Sequence, residues 1–207
     1  MLTGDYVVHI VDDEEPVRKS LAFLLSMAGF AVRVHDSATS FLACAPGLSK
    51  GCLVTDLRMP DMSGVELLEQ LAAAKALMPA IVITGHGDVP MAVAAMKAGA
   101  LDFIEKPFED EVLIEAIRRA AERIPGPHSA SDDPDAIRTR IDQLSERERQ
   151  VLGAVVAGLP NKTIAYDLNI SPRTVEVHRA NVMSKMQAKS LPELVRMSLL
   201  TDAAGRI

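Results

Sequence analysis

An alternation constrains this chain more than any other feature. Short apolar runs of strand length occur at Tyr6–Val11, Ala31–Val34, Cys52–Thr55, Ala80–Thr84 and Leu101–Ile104. Stretches with helical spacing fall between and after them, at about Glu15–Met27, Ala38–Ala45, Gly64–Ala74, Val89–Ala98 and Asp110–Arg123. Strand and helix in turn imply a parallel sheet covered by helices on both faces. The expected architecture for residues 1–124 is therefore α/β, a doubly wound five-stranded parallel sheet. In such a sheet the functional groups sit beyond the carboxyl ends of the strands.

This arrangement is of the flavodoxin-like kind, and it gives meaning to the acidic residues. The first strand runs into "VDDEE", which places Asp12 and Asp13 at its carboxyl end, and the third closes in "VTD", which places Asp56 there too. Neighbouring strands would crowd these carboxylates into one crevice, where like charges raise each other's pKa unless a cation intervenes. Hard oxygen ligands open to water suit Mg²⁺. The fifth strand leads into "EKPF", bringing the Lys106 ammonium to the same edge, and the fourth ends in Thr84 before "GHG". Carboxylate, Mg²⁺, lysine and hydroxyl together make a phosphoryl-transfer site with Asp56 as nucleophile. Each acid alone reads equally well as a surface or capping residue. His86 reads as a solvated loop residue, and His9, inside the first strand, as a core histidine.

A break follows. "PGPHSASDDP", Pro125–Pro134, has the composition of a linker, assigned here to residues 125–139. Asp133 and Pro134 read as an N-cap and first helical residue, with Ile137, Ile141 and Leu144 at helical spacing. No strand pattern appears from residue 140 onward. "SERE" at Ser145–Glu148 is a capping box that opens a helix to about Ala157. Asn161–Leu168 is a short helix. Ser171 and Pro172 open a longer one reaching about Met186, and "SLPE" at Ser190–Glu193 starts a fourth. Residues 140–207 are thus expected to form an all-α four-helix domain.

Charge divides the same way. Residues 1–124 hold 11 basic and 18 acidic residues, a net −7, whereas residues 140–207 hold 10 and 7, a net +3. The basic excess is small but points toward nucleic acid. On the helix that begins at Ser171, steps of 100° put Val175, Arg179, Val182 and Met186 on a packing side, where Arg179 has to snorkel. The opposite side carries Arg173, Glu176, Val177, Ala180 and Ser184. This polar, small-residue face suits the major groove of DNA. Thr174, Asn181 and Lys185 flank it within reach of phosphates, as do Asn161 and Lys162 at the start of the preceding helix. Two helices joined by a tight turn form a helix-turn-helix, the second being the reader.

The cysteines, Cys44 and Cys52, have neither metal nor disulfide spacing and read as reduced thiols. No apolar run reaches the roughly 18 residues of a membrane span, and no signal peptide is visible, so the expected location is the cytoplasm.

The motifs "IVDDEE", "VTDLRMPDMSG", "ITGHG" and "DFIEKPF" resemble the receiver domain of two-component response regulators across residues 5–123. "LSERERQVL", "GLPNKTIAYDLNISPRTVEVHRANVMSKM" and "SLPELV" are similar to the LuxR-type helix-turn-helix output domain over about Leu144–Leu200. Receiver plus this output identifies the chain as a member of the NarL/FixJ family. The resemblance implies that Asp56 is the phospho-acceptor and that Asp12, Asp13, Asp56 and the backbone carbonyl of Arg58 hold Mg²⁺. It implies that Thr84 and Lys106 contact the phosphoryl oxygens, that Phe103 is the switch aromatic, and that Lys106–Pro107 is cis. Glu176, Val177 and Ala180 are implied as base readers. The implied partners are a sensor histidine kinase, with an oxygen-sensing haem kinase suggested, promoter DNA and RNA polymerase. Nitrogen-fixation and microaerobic genes are the implied targets, and the chain is implied to activate them. It is expected to be no enzyme beyond slow autophosphorylation and autodephosphorylation.

Pairing of phosphorylated receivers into a homodimer is expected to use the helix at Val89–Ala98. There Val89, Val93 and Met96, with Lys97 at the edge, form one side and Met91, Ala94, Ala95 and Ala98 the other. The expectation is that the small-residue side packs on the sheet and Val93 faces outward. Two readings from other classes compete: a Mg²⁺-dependent phosphatase with an aspartyl nucleophile, and a receiver whose tail binds protein.

Overall fold

The computed structural model describes residues 6–45, 50–76, 78–85, 87–122 and 133–201. The expectations for His86 and for linker residues 125–132 lie outside the described residues. In chain order the elements begin β1 Val7–Val11, α1 Glu15–Met27, β2 Ala31–His35, α2 Ala38–Cys44 and β3 Gly51–Asp56. There follow α3 Gly64–Ala73, β4 Ala80–Thr84, α4 Val89–Lys97, β5 Asp102–Glu105 and α5 Asp110–Glu122. The remaining helices are α6 Pro134–Asp142, α7 Glu146–Val156, α8 Asn161–Asp167, α9 Pro172–Met186 and α10 Leu191–Leu200. Contacts divide the chain into two units, one built on β1–β5 with α1–α3 and α5, the other on α4 and α6–α10.

In the first unit the five strands are parallel and ordered β2-β1-β3-β4-β5. The strand order reverses at β1, which opens a crevice at the carboxyl ends of β1 and β3. The central strands β3 and β4 are almost continuously apolar, as a sheet covered on both faces requires. Alternation along each strand sends Val8, Ile10, Cys52, Val54, Ile81 and Ile83 to one face. There they pack with Leu21 and Leu25 of α1 and with Leu113 and Ile117 of α5.

In the second unit one core joins Ile137, Leu144, Leu152, Val182, Met186 and Leu194, and another joins Val151, Val155, Ile164, Ala165 and Val175. Serines start its helices as the spacing predicts. Ser145 and Glu148 form a reciprocal capping box, and Ser171 and Ser190 accept from the backbone N–H groups of Thr174 and Glu193. Asp133 caps α6, with Pro134 at its first position.

The expectation for α4 is corrected. Val93 and Met96 are buried alongside Ala92 and Ala95, whereas Ala94 and Lys97 are exposed. Val89 packs against the core of Val151, Val155 and Val175 within the second unit. The valine side is therefore not an outward face here.

Candidate functional site

The crevice is assembled by strand ends. Asp12 is the first residue past β1, and Asp56 closes β3. Val11 lies in register with Thr55, which brings the two carboxylates together. Asp12 is buried, Asp56 half-buried and Asp13 exposed. Lys106 follows β5, and its backbone N–H donates to the Thr84 carbonyl at 2.7 Å. Its ammonium stands 3.4 Å from Asp12 Oδ2 and 3.2 Å from Asp56 Oδ1. The Lys106–Pro107 peptide is cis, as the resemblance implies.

The other carboxylate oxygens are held too. Asp12 Oδ1 accepts from the Glu14 amide at 2.8 Å, and Asp56 Oδ2 from the Arg58 amide at 2.7 Å. Arg18 donates to the Asp12 carbonyl at 2.6 Å. Burial pushes the Asp12 carboxyl above its ordinary range, and the Glu14 amide and the Lys106 ammonium pull the other way. Gly64 opens α3 against the Asp56 backbone, its amide donating to the Leu57 carbonyl at 2.9 Å. A Cβ at this position would sit 2.5 Å from the Asp56 carbonyl oxygen, so only glycine fits without displacement.

The donor set fits Mg²⁺. That ion keeps several waters and takes only one or two carboxylates from a protein. Asp12 and Asp56 converge, and the buried Asp12 carboxylate gains from a second cation. Among the described residues no three His, Cys, Asp or Glu side chains converge closely enough to hold an ion. Asp13, the next residue after Asp12, is exposed. Thr84 is buried at the end of β4, and Phe103 is half-buried on β5.

The α9 helix presents the face that the helical wheel places outward. Arg173, Glu176, Val177, Ala180, Asn181 and Ser184 are exposed, while Val175, Val182 and Met186 are buried. Arg173 pairs with Glu176 at 2.9 Å along this face, and Val177 is 51% exposed. The Thr174 hydroxyl lies 2.8 Å from that of Ser171 at the helix cap. Asn161 is half-buried and accepts from Arg179, whereas Lys162 is exposed.

Lys185 requires a correction. Its ammonium donates to Glu148 Oε2 at 2.7 Å and to the Gln143 carbonyl at 3.4 Å. The helical wheel shows a flank position but not the acid on another helix that meets it. Lys185 therefore ties α9 to α7 instead of standing free for a phosphate.

Three large side chains escaped the sequence reading. Phe23 and Met27 on α1 are 70% and 74% exposed, and they line a shallow groove with Ser20, Leu24, Phe108 and Asp110. Tyr166 on α8 is exposed as well. A helical wheel of α1 carries the signal, because Phe23 and Met27 fall opposite the buried Leu21 and Leu25.

The comparisons with known proteins match both units. Residues 8–118 match the response regulator receiver domain, and residues 142–198 match the bacterial regulatory proteins of the luxR family. The chain is 73% identical to the transcriptional regulatory protein FixJ of Rhizobium meliloti over 195 residues, 94% of this chain and 96% of that protein. The chain belongs to the NarL/FixJ family of response regulators. It is also 58% identical to FixJ of Azorhizobium caulinodans, over 95% of this chain and 93% of that one. The crystal structure of full-length FixJ from B. japonicum covers all of both chains at 48% identity, with a TM-score of 0.57.

A receiver joined to a LuxR-type DNA-binding domain makes the chain a phosphorylation-activated transcriptional regulator. Membership replaces both the phosphatase and the protein-binding alternatives. Among the described residues no helix is long and apolar enough to cross a membrane.

Proposed function

We propose that Asp56 takes the phosphoryl group from the phosphohistidine of a sensor kinase. The observation that carries this reading is the Lys106 ammonium set between Asp12 and Asp56. An Asp56 carboxylate oxygen forms the new O–P bond as the P–N bond to the kinase imidazole breaks. Lys106 is placed to meet the charge on the transferred phosphoryl oxygens, and Thr84 to donate its hydroxyl to them. Asp12, Asp13, Asp56 and the Arg58 carbonyl would hold Mg²⁺, which when bound neutralises phosphoryl charge.

The output is promoter DNA read by Arg173, Glu176, Val177 and Ala180, with Asn161, Lys162, Thr174 and Asn181 toward the backbone. A two-fold operator needs two reader helices, so phosphorylation pairs the receivers, Phe103 serving as the switch. The similarity to FixJ supports activation of nitrogen-fixation and microaerobic genes through RNA polymerase in the cytoplasm, and an oxygen-sensing haem kinase as donor.

Asp56→Asn tests the acceptor. The variant is expected to fold and to take up no phosphate from acetyl phosphate with Mg²⁺. Mass spectrometry that finds the acyl phosphate on another residue in the parent protein overturns the assignment. Duplexes selected by the phosphorylated protein from a random pool then define the operator.

A further inference from the structure

The reader helix carries a charge on its packing side. Arg179 lies halfway along α9 and is half-buried, among positions otherwise given to Val175, Val182 and Met186. Burying a guanidinium is costly unless its donors are used. One donor is used at long range: Arg179 Nη1 donates to Asn161 Oδ1 at 2.7 Å, across 18 residues of chain. Burial lowers the Arg179 pKa from its usual value, though the nearby Glu176 opposes this.

The partner's position matters as much as the bond. Asn161 is the first residue of α8, and α8 lacks a side-chain cap because Pro160 precedes it. At the turn, Ser171 caps the start of α9. At the far end of α8 the Arg179–Asn161 bond spans the angle like a strut.

Chemistry then fixes which end of the Asn161 amide faces which way. A guanidinium has only donors, so Asn161 must turn its oxygen toward Arg179. Its N–H groups are left for an acceptor elsewhere, and DNA presents phosphate oxygens to such donors.

We propose that Arg179 is a positioning residue for DNA binding, holding α8 against α9 and orienting the Asn161 amide so that its N–H groups meet a phosphate. The proposal rests on reading α9 as the DNA reader. Arg179 touches no base in this scheme, so it sets affinity for every sequence and not preference among sequences.

The test uses the full-length protein, activated with Mg²⁺ and beryllofluoride, and its selected operator in fluorescence anisotropy. Arg179→Met and Asn161→Ala are each expected to weaken binding about ten-fold, the scale of one hydrogen bond to a charged group. The double variant is expected to bind no more weakly than either single one, since both break the same arrangement. Arg179→Lys keeps a donor and is expected to restore most of the affinity. A packing role predicts the reverse, because methionine packs at least as well as lysine. Circular dichroism melting confirms that each variant is folded at the assay temperature.

Additive losses, about a hundred-fold in the double variant, overturn the proposal. So does an Arg179→Met protein that binds like the parent, or one whose selected operator changes. If the parent binds no duplex at all, the reading of α9 falls as well. A parent that binds normally beside unaffected Arg179 variants sinks this inference alone.

Discussion

The acidic crevice and the exposed face of α9 use charge in opposite ways. In the crevice the carboxylates point inward and each is met by donors. Asp12 is 2% exposed, and Lys106, Glu14 and Arg58 supply the partners at Asp12 and Asp56. On the exposed face of α9, Arg173 and Glu176 answer to each other with side chains 86% and 51% exposed. A unit charge matters several times more in the crevice, because the interaction grows as the effective dielectric falls. An exposed pair holds little energy and is readily exchanged for a phosphate or a base edge. A pocket whose carboxylates are held by fixed donors is tightly determined, and an exposed ion pair stays open to exchange. Lys185 and Glu148 are the exception in the second unit, a pair drawn into its structure like those of the crevice.

The largest effect that sharpens this contrast is expected at Gly64. Gly64→Val sets a side chain against the Asp56 carbonyl, where even a Cβ would lie 2.5 Å away. Asp56 must shift, at a cost of about 1–3 kcal/mol in stability. Phosphate uptake from acetyl phosphate is expected to slow at least about ten-fold, since small misplacements are costly in positioned chemistry. A variant with parental uptake shows that the crevice is more tolerant than its geometry indicates.

Glu148→Gln comes next. It removes the charge that holds Lys185 and is expected to cost about 1–2 kcal/mol in urea unfolding. The Lys185 ammonium, with the Ser145 amide next, holds the Glu148 carboxyl down at about 2, from an ordinary 4.5. The folded pKa is the lower one, so this stabilisation is present above pH 4.5 and is lost as pH falls through about 2. The stability difference between parent and variant is expected to shrink over that window. A difference that stays flat from about pH 6 down to about pH 2.5 shows that the pair contributes nothing through its charge.

The smallest effect is at Val177. Val177→Ala removes two exposed methyls from α9 and leaves the core untouched. Preference at one or two base pairs is expected to change by about 1 kcal/mol, with stability unaltered. An unchanged selected operator breaks the assignment of that face.

Much of the crevice is legible in the amino-acid sequence. Strand lengths and the run of acids at two strand ends are enough to gather Asp12, Asp56 and Lys106, because a parallel doubly wound sheet brings its carboxyl ends to one edge. The exposed face of α9 is legible by the same logic, since 100° steps separate Val175 and Val182 from Arg173, Glu176 and Val177. What escapes depends on elements far apart in the chain. Glu148 meets Lys185 across 37 residues, and Asn161 meets Arg179 across 18. Asp13 lies beside Asp12 in sequence yet is exposed, because adjacent residues leave a strand end in different directions.

The order of strands and helices, the serines that cap the helices and the face α9 turns to solvent all follow from the residues alone. Those are properties of local spacing, and local spacing is written in the chain. Which neighbours cover the remaining faces was left to tertiary packing. The valine side of α4 became buried, the lysine on α9 found an acid, and the arginine on its packing side found an amide. Periodicity says where a side chain points, but the free energy of a charge or an apolar surface depends on what stands opposite it.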